Sequence, residues 1–222
     1  ADSEASGRVL EVLASFTPVV EQISVDEAFL EIGGLHRAYP GPQAVGEAIR
    51  AEMRARTGLP CSVGLAAGKL IAKLASRAAK PDGLVAVPAG RETAFLHPLP
   101  VRALWGVGEA AYARLEEIGV RTVGELAEVP TETLERRLGR AMGAHLSALA
   151  WARDDRPVQA GGPAKSISVE ETFPADLAER GEVERELLRL ADRLASRLRE
   201  ADVAARTVSL KVRFGDFATI TR

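Results

Sequence analysis

The stretch from Val20 to Ile32 constrains this chain more than any other, because it places two adjacent acids between two strand-like runs. In residues 22–25 and again in residues 28–32, apolar side chains alternate with others, which is typical of strands with one face on a core. The acids between the runs are Asp26 and Glu27. Successive side chains of a straight strand point to opposite faces, so we expect a bend here that lets both carboxylates reach one site.

Two carboxylates at a strand end form a hard, anionic oxygen cluster. Such a cluster suits Mg²⁺ and the phosphate chemistry that Mg²⁺ assists. Taken alone, however, an Asp-Glu pair at a surface bend is more often solvated than catalytic. The pair therefore needs support from the rest of the chain.

The composition indicates a globular protein, since 46% of the 222 residues are hydrophobic. No apolar run approaches the roughly 20 residues that cross a bilayer, so no membrane partner is expected. The single cysteine, Cys61, excludes an internal disulfide and favours a cytoplasmic location. The net charge of −2 gives no overall basic footprint for nucleic acid. Bases nevertheless outnumber acids in residues 61–80 and 185–213, and a polyanion would respond to this local surplus.

The order of predicted elements divides the chain. Residues 1–90 predict helices and strands of an α+β sheet covered by helices on one face. Residues 91–153 are all-helical, and the polar, Gly- and Pro-rich residues 154–164 are typical of a linker. Residues 165–222 predict a strand, a long helix and a further strand. Their predicted bounds are 165–173, 177–201 and 207–214, with Leu187, Leu190, Leu194 and Leu198 inside the helix and Val208, Leu210, Val212 and Phe214 on the apolar strand face.

Gly106-Val107-Gly108 lies between two predicted helices. A helix, a tight Gly-containing hairpin and a second helix present backbone N–H groups to a phosphate without reading base sequence. A lone Gly-x-Gly more often marks an ordinary corner between helices. The longer apolar pattern favours a helix-hairpin-helix, and its residues are Leu104, Val107, Ala111, Leu115, Ile118, Gly119 and Val120.

Other basic segments have a plain alternative as well. Lys80 follows a predicted helix that carries Lys69, Lys73 and Arg77, and such a run is usually a solvated basic face. We expect Lys69 and Lys73 on the helix surface, and Trp105 and Trp151 as core anchors. Hydroxyls and bases also line one side of the last two strands, although exposed strand faces commonly carry them. The residues concerned are Lys165, Ser166, Ser168, Ser209, Lys211 and Arg213.

Three of these motifs resemble one family in the same order. Residues 24–31, Ser-Val-Asp-Glu-Ala-Phe-Leu-Glu, resemble the palm motif of the Y-family, translesion DNA polymerases of the bacterial type. Residues 63–84 resemble the segment of that palm whose Lys contacts the incoming triphosphate, and residues 165–173 resemble the first strand of its little finger. The resemblance extends from about residue 19 to 220.

The resemblance implies a DNA-directed DNA polymerase that tolerates damaged templates. Its substrates would be primer–template DNA and deoxynucleoside triphosphates. Two Mg²⁺ ions would be held by Asp26 and Glu27, with Glu27 nearest the primer end, and Lys80 would neutralise triphosphate charge. DNA would contact the 106–108 hairpin and residues Lys165, Ser166, Ser168, Lys211 and Arg213. By the same match, residues 1–90 are a partial palm, 91–153 a helical thumb, 154–164 a linker and 165–222 a partial little finger.

The sequence departs from the family in what it lacks. The N-terminal strand with another metal-binding Asp, the fingers and the distal little finger have no counterpart here. We therefore expect a fragment without useful polymerase activity by itself, and any sliding-clamp contact would use regions outside it.

Two alternatives remain open. The first is a catalytically inactive Y-family relative that acts as an adaptor, although Asp26, Glu27 and Lys80 argue against it. The second is a non-enzymatic DNA-binding module built on the helix-hairpin-helix. It predicts that Asp26→Ala in the full-length protein leaves the biological role intact.

Overall fold

The computed structural model describes residues 2–161 and 165–222. Contacts divide the chain into two compact units, residues 1–161 and residues 162–222, called unit 1 and unit 2 below. Residues 162–164 of the expected linker lie outside the described residues. No helix in the described parts is both long and apolar enough to span a bilayer.

Unit 1 begins with alternating helices and short strands. Strands β1 and β2 form an antiparallel hairpin, and β3 and β4 form a parallel pair with α3 as the crossover. The predicted α+β class is confirmed, but the described strands form separate two-stranded sheets instead of one sheet. The elements are α1 (Asp2–Ala14), β1 (Val20–Gln22), β2 (Ala28–Leu30), α2 (Pro42–Thr57), β3 (Val63–Leu65), α3 (Lys69–Ala78) and β4 (Leu84–Ala86).

Local sequence explains where these elements start, stop and touch. Helix α2 starts at Pro42, which tolerates the first helical position, and ends at Gly58 with a φ of 74°. Helix α3 packs directly on β3. The two backbones are so close that a Cβ built on Gly64 would lie 2.0 Å from the Ala72 carbonyl oxygen. Only glycine permits that approach.

The rest of unit 1 is helical, as the sequence predicts. Thr122 and Glu125, three residues apart, form a complete capping box at the start of α6. Gly119 adopts a φ of 80° just beyond α5. The helices are α4 (Glu92–Leu96), α5 (Glu109–Glu116), α6 (Val123–Glu128), α7 (Thr131–Leu138) and α8 (Arg140–Ala150), and a 3₁₀ turn spans Val101–Ala103.

Unit 1 contains two clusters of buried apolar side chains. One joins α1 to α2 and packs against the β1–β2 hairpin. The other joins α3 to α4 through α8, so the expected boundary at residues 90 and 91 runs through a continuous core. Helix α3 thereby packs with helices α4 to α8 and also touches the strands.

Unit 2 contains α9 (Arg180–Glu200), β5 (Lys211–Arg213) and β6 (Thr219–Thr221), with β5 and β6 antiparallel. Several expectations are wrong here. Residues 165–173 form no strand, and the four predicted inner leucines of α9 are only half-buried. The apolar face expected on the last strand is largely exposed, with Val208 at 79% and Phe214 at 51%. Of the predicted strand 207–214, residues 211–213 form β5, with Val212 partly buried between exposed Lys211 and Arg213.

Candidate active site

The two acids of the opening motif lie at the turn of the β1–β2 hairpin. The N–H groups of Ile23 and Ser24 both donate to the carbonyl oxygen of Glu27, at 2.9 and 3.3 Å. These bonds close the predicted bend. Val25 belongs to no buried face, contrary to the alternation, because the turn leaves its side chain 65% exposed.

Asp26 and Glu27 are both exposed, and both line one small concavity against α1. They do not share partners. The Ser24 hydroxyl donates to Asp26 Oδ1 at 2.5 Å, whereas Lys73 Nζ lies 2.6 Å from Glu27 Oε2. The turn therefore brings the pair to one surface and gives each carboxylate its own donor.

A hydrogen bond and nearby positive charges lower the pKa of Asp26. The hydrogen bond from Ser24 is the largest cause that lowers the pKa of Asp26 below its ordinary value, and the charges of Lys80 and Lys73 lower it further. Lys80, at an exposed position after α3, thus lies close enough for its charge to act on Asp26. Two acids and two lysines share this corner of unit 1.

Asp26 and Glu27 supply hard carboxylate oxygens, the donors that Mg²⁺ prefers. Within residues 2–161 and 165–222, no group of three or more His, Cys, Asp or Glu side chains converges on a common point. The acid pair therefore fits part of a Mg²⁺ site and needs a further oxygen ligand to complete one.

Lys69, one turn before Lys73, is buried, which corrects the expected surface position. Its Nζ contacts both carboxylate oxygens of Glu21 at 2.6 Å and lies 5.0 Å from the centre of the Phe29 ring. The same ammonium is 3.4 Å from the carbonyl oxygen of Pro157, and Glu21 also accepts from the N–H of Gln159 at 2.8 Å. This cluster ties β1, α3 and the segment after α8 together.

The first residues of the expected linker are fixed in the same way. The Asp154 side chain is only 3% exposed and accepts from the N–H of Leu70 at 3.0 Å, which caps the start of α3. Arg156 donates to Asp154 at 2.6 and 2.9 Å and stacks 4.8 Å from the Trp105 ring centre. Trp105 therefore sits under a cation, while Trp151 is 48% exposed and is not the core anchor that we expected.

The helix-hairpin-helix corner runs from the 3₁₀ turn to α5. Gly106 has a backbone φ of 100°, which residues other than glycine rarely adopt. The N–H groups of Val107 and Gly108 already donate to Leu104 and Gly106. The N–H groups of residues 109–111, in the first turn of α5, have no acceptor within the helix and can donate to a phosphate.

A salt bridge affects the charge at that corner. Glu109 opens α5 and would repel a phosphate. Arg102 donates to it twice, at 2.9 and 3.0 Å, and also stacks 3.6 Å from the Tyr112 ring centre. Arg102 therefore offsets the acid beside the exposed amides.

In unit 2, the predicted DNA-contacting side chains are all exposed. Lys211 and Arg213 flank Val212 on one face of β5, and Arg213 Nε lies 3.3 Å from the Thr219 hydroxyl. Ser168 offers its carbonyl oxygen to Arg197 at 2.6 Å. Lys165 and Ser166 precede it in a segment without strand pairing.

Sequence reasoning missed the buried pair Lys69–Glu21, the cap from Asp154 and the stack on Trp105. The sequence holds one signal for the lysine ion pairs and none for the other two features. Lys69 and Lys73 are four residues apart, so both lie on one helix face. Two lysines that pack against other elements on that face would each need an acid as partner. Partners 48 and 46 residues away cannot be read from a single sequence.

Three sequence models of known protein families match this chain. The sequence model of the impB/mucB/samB family matches residues 2–77, and that of its C-terminal domain matches residues 164–222. The model of the DNA polymerase-iota thumb domain matches residues 102–150, which contain the helix-hairpin-helix corner. The three matches fall in both units, two in unit 1 and one in unit 2.

Curated relatives extend the match. DNA polymerase IV of Streptomyces coelicolor is 48% identical over 98% of this chain and 46% of its own length. DNA polymerase IV 2 of Mesorhizobium japonicum is 47% identical over 96% of this chain and 51% of its own length. The chain thus spans about half the length of these relatives.

Solved structures share the fold. A chimera of the Y-family polymerases Dbh and Dpo4 aligns over 100% of this chain and 63% of its own, with a TM-score of 0.81 and 19% identity. An error-prone DinB-family DNA polymerase from Sulfolobus solfataricus aligns over 99% of this chain and 65% of its own, with a TM-score of 0.67. By the two family models, which together match more than half of the chain, and by the curated relatives, the chain belongs to the impB/mucB/samB family, that of the Y-family DNA polymerases of the bacterial DNA polymerase IV type.

Proposed function

We propose that the protein containing this chain is a DNA-directed DNA polymerase that copies damaged templates. The observation that carries the proposal is the pair Asp26 and Glu27, held at one hairpin turn beside Lys73 and Lys80. Carboxylates next to lysines suit a reaction in which metal and triphosphate charges must be neutralised together. Family membership supports the same reading.

In this proposal Asp26 and Glu27 would hold two Mg²⁺ ions together with a further ligand outside the pair. Bound Mg²⁺ supplies Lewis-acid chemistry that activates a primer 3′-hydroxyl and stabilises the pyrophosphate leaving group. Ser24 keeps the Asp26 carboxylate oriented through its hydroxyl. Lys80 binds the triphosphate of the incoming nucleotide. No protein group needs to react covalently, because positioning and charge carry phosphoryl transfer.

Each unit would bind DNA through its own surface. In unit 1, residues Gly106, Val107 and Gly108 shape the corner, and the exposed amides at the start of α5 bind a backbone phosphate. In unit 2, Lys211 and Arg213 present charge from one strand face, and Lys165, Ser166 and Ser168 lie on an exposed segment. Because such contacts join the protein to DNA phosphates, they allow binding to DNA of any base sequence. The protein would work in the cytoplasm and bind a sliding clamp through segments outside this chain.

Primer extension by the full-length protein tests the proposal. We expect Mg²⁺-dependent synthesis, a loss of at least about 100-fold in rate for Asp26→Asn and for Glu27→Gln, and unchanged DNA affinity. Glu31→Gln on the same hairpin is the matched control and should keep full activity. Synthesis that survives Asp26→Asn would refute the polymerase assignment and favour a DNA-binding module. This chain alone is expected to extend no primer.

A further inference from the structure

The two catalytic candidates differ in how they are held. Asp26 has a partner within its own turn, the Ser24 hydroxyl. Glu27 receives its one side-chain hydrogen bond, among the described residues, from Lys73 on α3. Glu27 is 43% exposed and Lys73 is 21% exposed, so the pair lies at the edge of the surface. The orientation of the Glu27 carboxylate therefore depends on a residue from another element.

Lys73 is itself seated on an aromatic ring. Its Nζ lies 5.4 Å from the centre of the Trp105 ring, within the range of a cation–π contact. The ring of Phe29, from β2, packs against Trp105 with centroids 6.4 Å apart. Lys73 thus has an ion pair at its tip and an aromatic surface beside it, and together they restrict its rotamers.

Trp105 is fixed in turn by residues far along the chain. Arg156 stacks on its ring and is bound by Asp154, whose side chain is nearly fully buried and caps α3. Helix α3 therefore carries Lys73 and also anchors the residues that hold Trp105. The closed arrangement leaves Lys73 little freedom to leave Glu27 in the absence of another ligand.

We propose that Lys73 is a positioning residue that orients Glu27 for catalysis, with Trp105 as the surface on which Lys73 rests. The inference depends on the proposed function, because Glu27 must serve the reaction for its orientation to matter. Lys73 need not touch the substrate in this role. Misplacing a catalytic group by about 1 Å can cost about 100-fold in rate, so loss of Lys73 should lower kcat more than it changes KM.

Steady-state kinetics of the full-length protein give the first test, at saturating Mg²⁺. We expect Lys73→Met to lower kcat by about 10- to 100-fold and to change the KM for deoxynucleotide by less than about 3-fold. Lys73→Arg should recover kcat to within about 5-fold, because guanidinium also pairs with carboxylate and stacks on Trp. Arg77→Met, one turn later on α3, is the matched control and should leave both constants within about 2-fold.

A second readout needs neither metal nor substrate. In this chain with Trp151→Phe, Trp105 is the remaining tryptophan, so its fluorescence reports the position of Lys73. Lys73→Met should shift that emission, and Glu27→Gln should do the same because Lys73 loses the negative charge that holds it in an ion pair. Glu31→Gln should not. Thermal unfolding followed by circular dichroism confirms that each variant is folded.

The outcomes separate the two claims. If Lys73→Met keeps kcat, if Lys73→Arg is no better than Lys73→Met, or if Glu27→Gln leaves Trp105 emission unchanged, the positioning role is wrong. In those cases a loss of synthesis on Asp26→Asn still supports the polymerase. If Asp26→Asn also keeps synthesis, the proposed function itself fails.

Discussion

Helices α3 and α9 have similar amphipathic patterns but differ in how far they are buried. Five of the 10 residues of α3 are buried, whereas none of the 21 residues of α9 is. Helix α3 packs against β3 at Gly64 and joins the helical core, so its apolar side is covered within unit 1. The apolar side of α9 is only half-covered by unit 2. The pattern therefore tells which side of a helix is apolar but does not tell how completely that side is buried.

The largest effect should come from truncating the same residue type on both helices. Leu70 of α3 is 1% exposed, and we expect Leu70→Ala to destabilise unit 1 by about 3–4 kcal/mol, through lost burial and the remaining cavity. Leu190→Ala on the half-buried side of α9 should cost less than about 1 kcal/mol. Urea unfolding followed by hydrogen exchange of each helix measures both. Equal costs would show that α9 is packed in solution as fully as α3.

The next largest difference should be in the stability cost of breaking an ion pair on each helix. Lys69 is buried on α3 and pairs with Glu21 of β1. Glu21→Ala leaves its ammonium without a counter-charge, so we expect the free energy of unfolding to fall by about 2 kcal/mol. The control is Glu184→Ala on α9, which breaks an i,i+4 pair with Arg180 whose side chains are 57% and 91% exposed. That loss should be about 0.3–0.5 kcal/mol.

Salt sharpens this comparison. Exposed pairs are screened by salt and buried ones much less, so about 0.5 M NaCl should remove the small effect on α9 and leave most of the effect of Glu21→Ala. Denaturant midpoints with and without salt measure both. A Glu21→Ala cost that vanishes in salt would mean that Lys69 is hydrated in solution, contrary to its burial in the structure.

The sequence predicts the local features of this fold and misses the distant ones. The hairpin around Asp26, the capping box at Thr122 and the helical region follow from alternation, capping residues and glycines, all of which act over a few residues. The burial of Lys69 does not, because a lysine on a basic helix face gives no sign of an acid 48 residues earlier.

The same limit applies to the candidate site. Asp26, Glu27 and Lys80 were identified from residue type and from resemblance, and the structure places all three at one corner of unit 1. The support of Glu27 by Lys73 and Trp105 was missed, since it depends on tertiary packing of α3 against residues that follow it. In unit 2, alternation predicted a covered strand face, but burial depends on neighbours that periodicity cannot supply.

The smallest expected effect is on acid stability, where one carboxylate from each unit can be compared. Burial of Asp154 tends to raise the pKa of its carboxyl, but Arg156 and the N–H of Leu70 outweigh it and hold the pKa below the ordinary value. Hydrogen bonds from Arg189 and Arg193 likewise lower the pKa of Glu171 in unit 2. The two acids share a direction of shift and differ in exposure, with side chains 3% and 36% exposed.

The depressed pKa of Asp154 determines how its contribution to stability changes with pH. Because the folded-state pKa of Asp154 is depressed, its contribution to stability is complete above the unfolded value of 3.8 and is lost as the pH falls below that value. Asp154→Asn should therefore lower the stability of α3 at about pH 6 and reduce its further loss at about pH 3, as measured by protection of α3 amides. The exposed neighbour Asp155→Asn should change neither. Glu171→Gln should alter α9 less than Asp154→Asn alters α3, because water can replace the partners of an exposed carboxylate. A larger effect on α9 would mean that unit 2 depends on its surface ion pairs more than unit 1 depends on its buried cap.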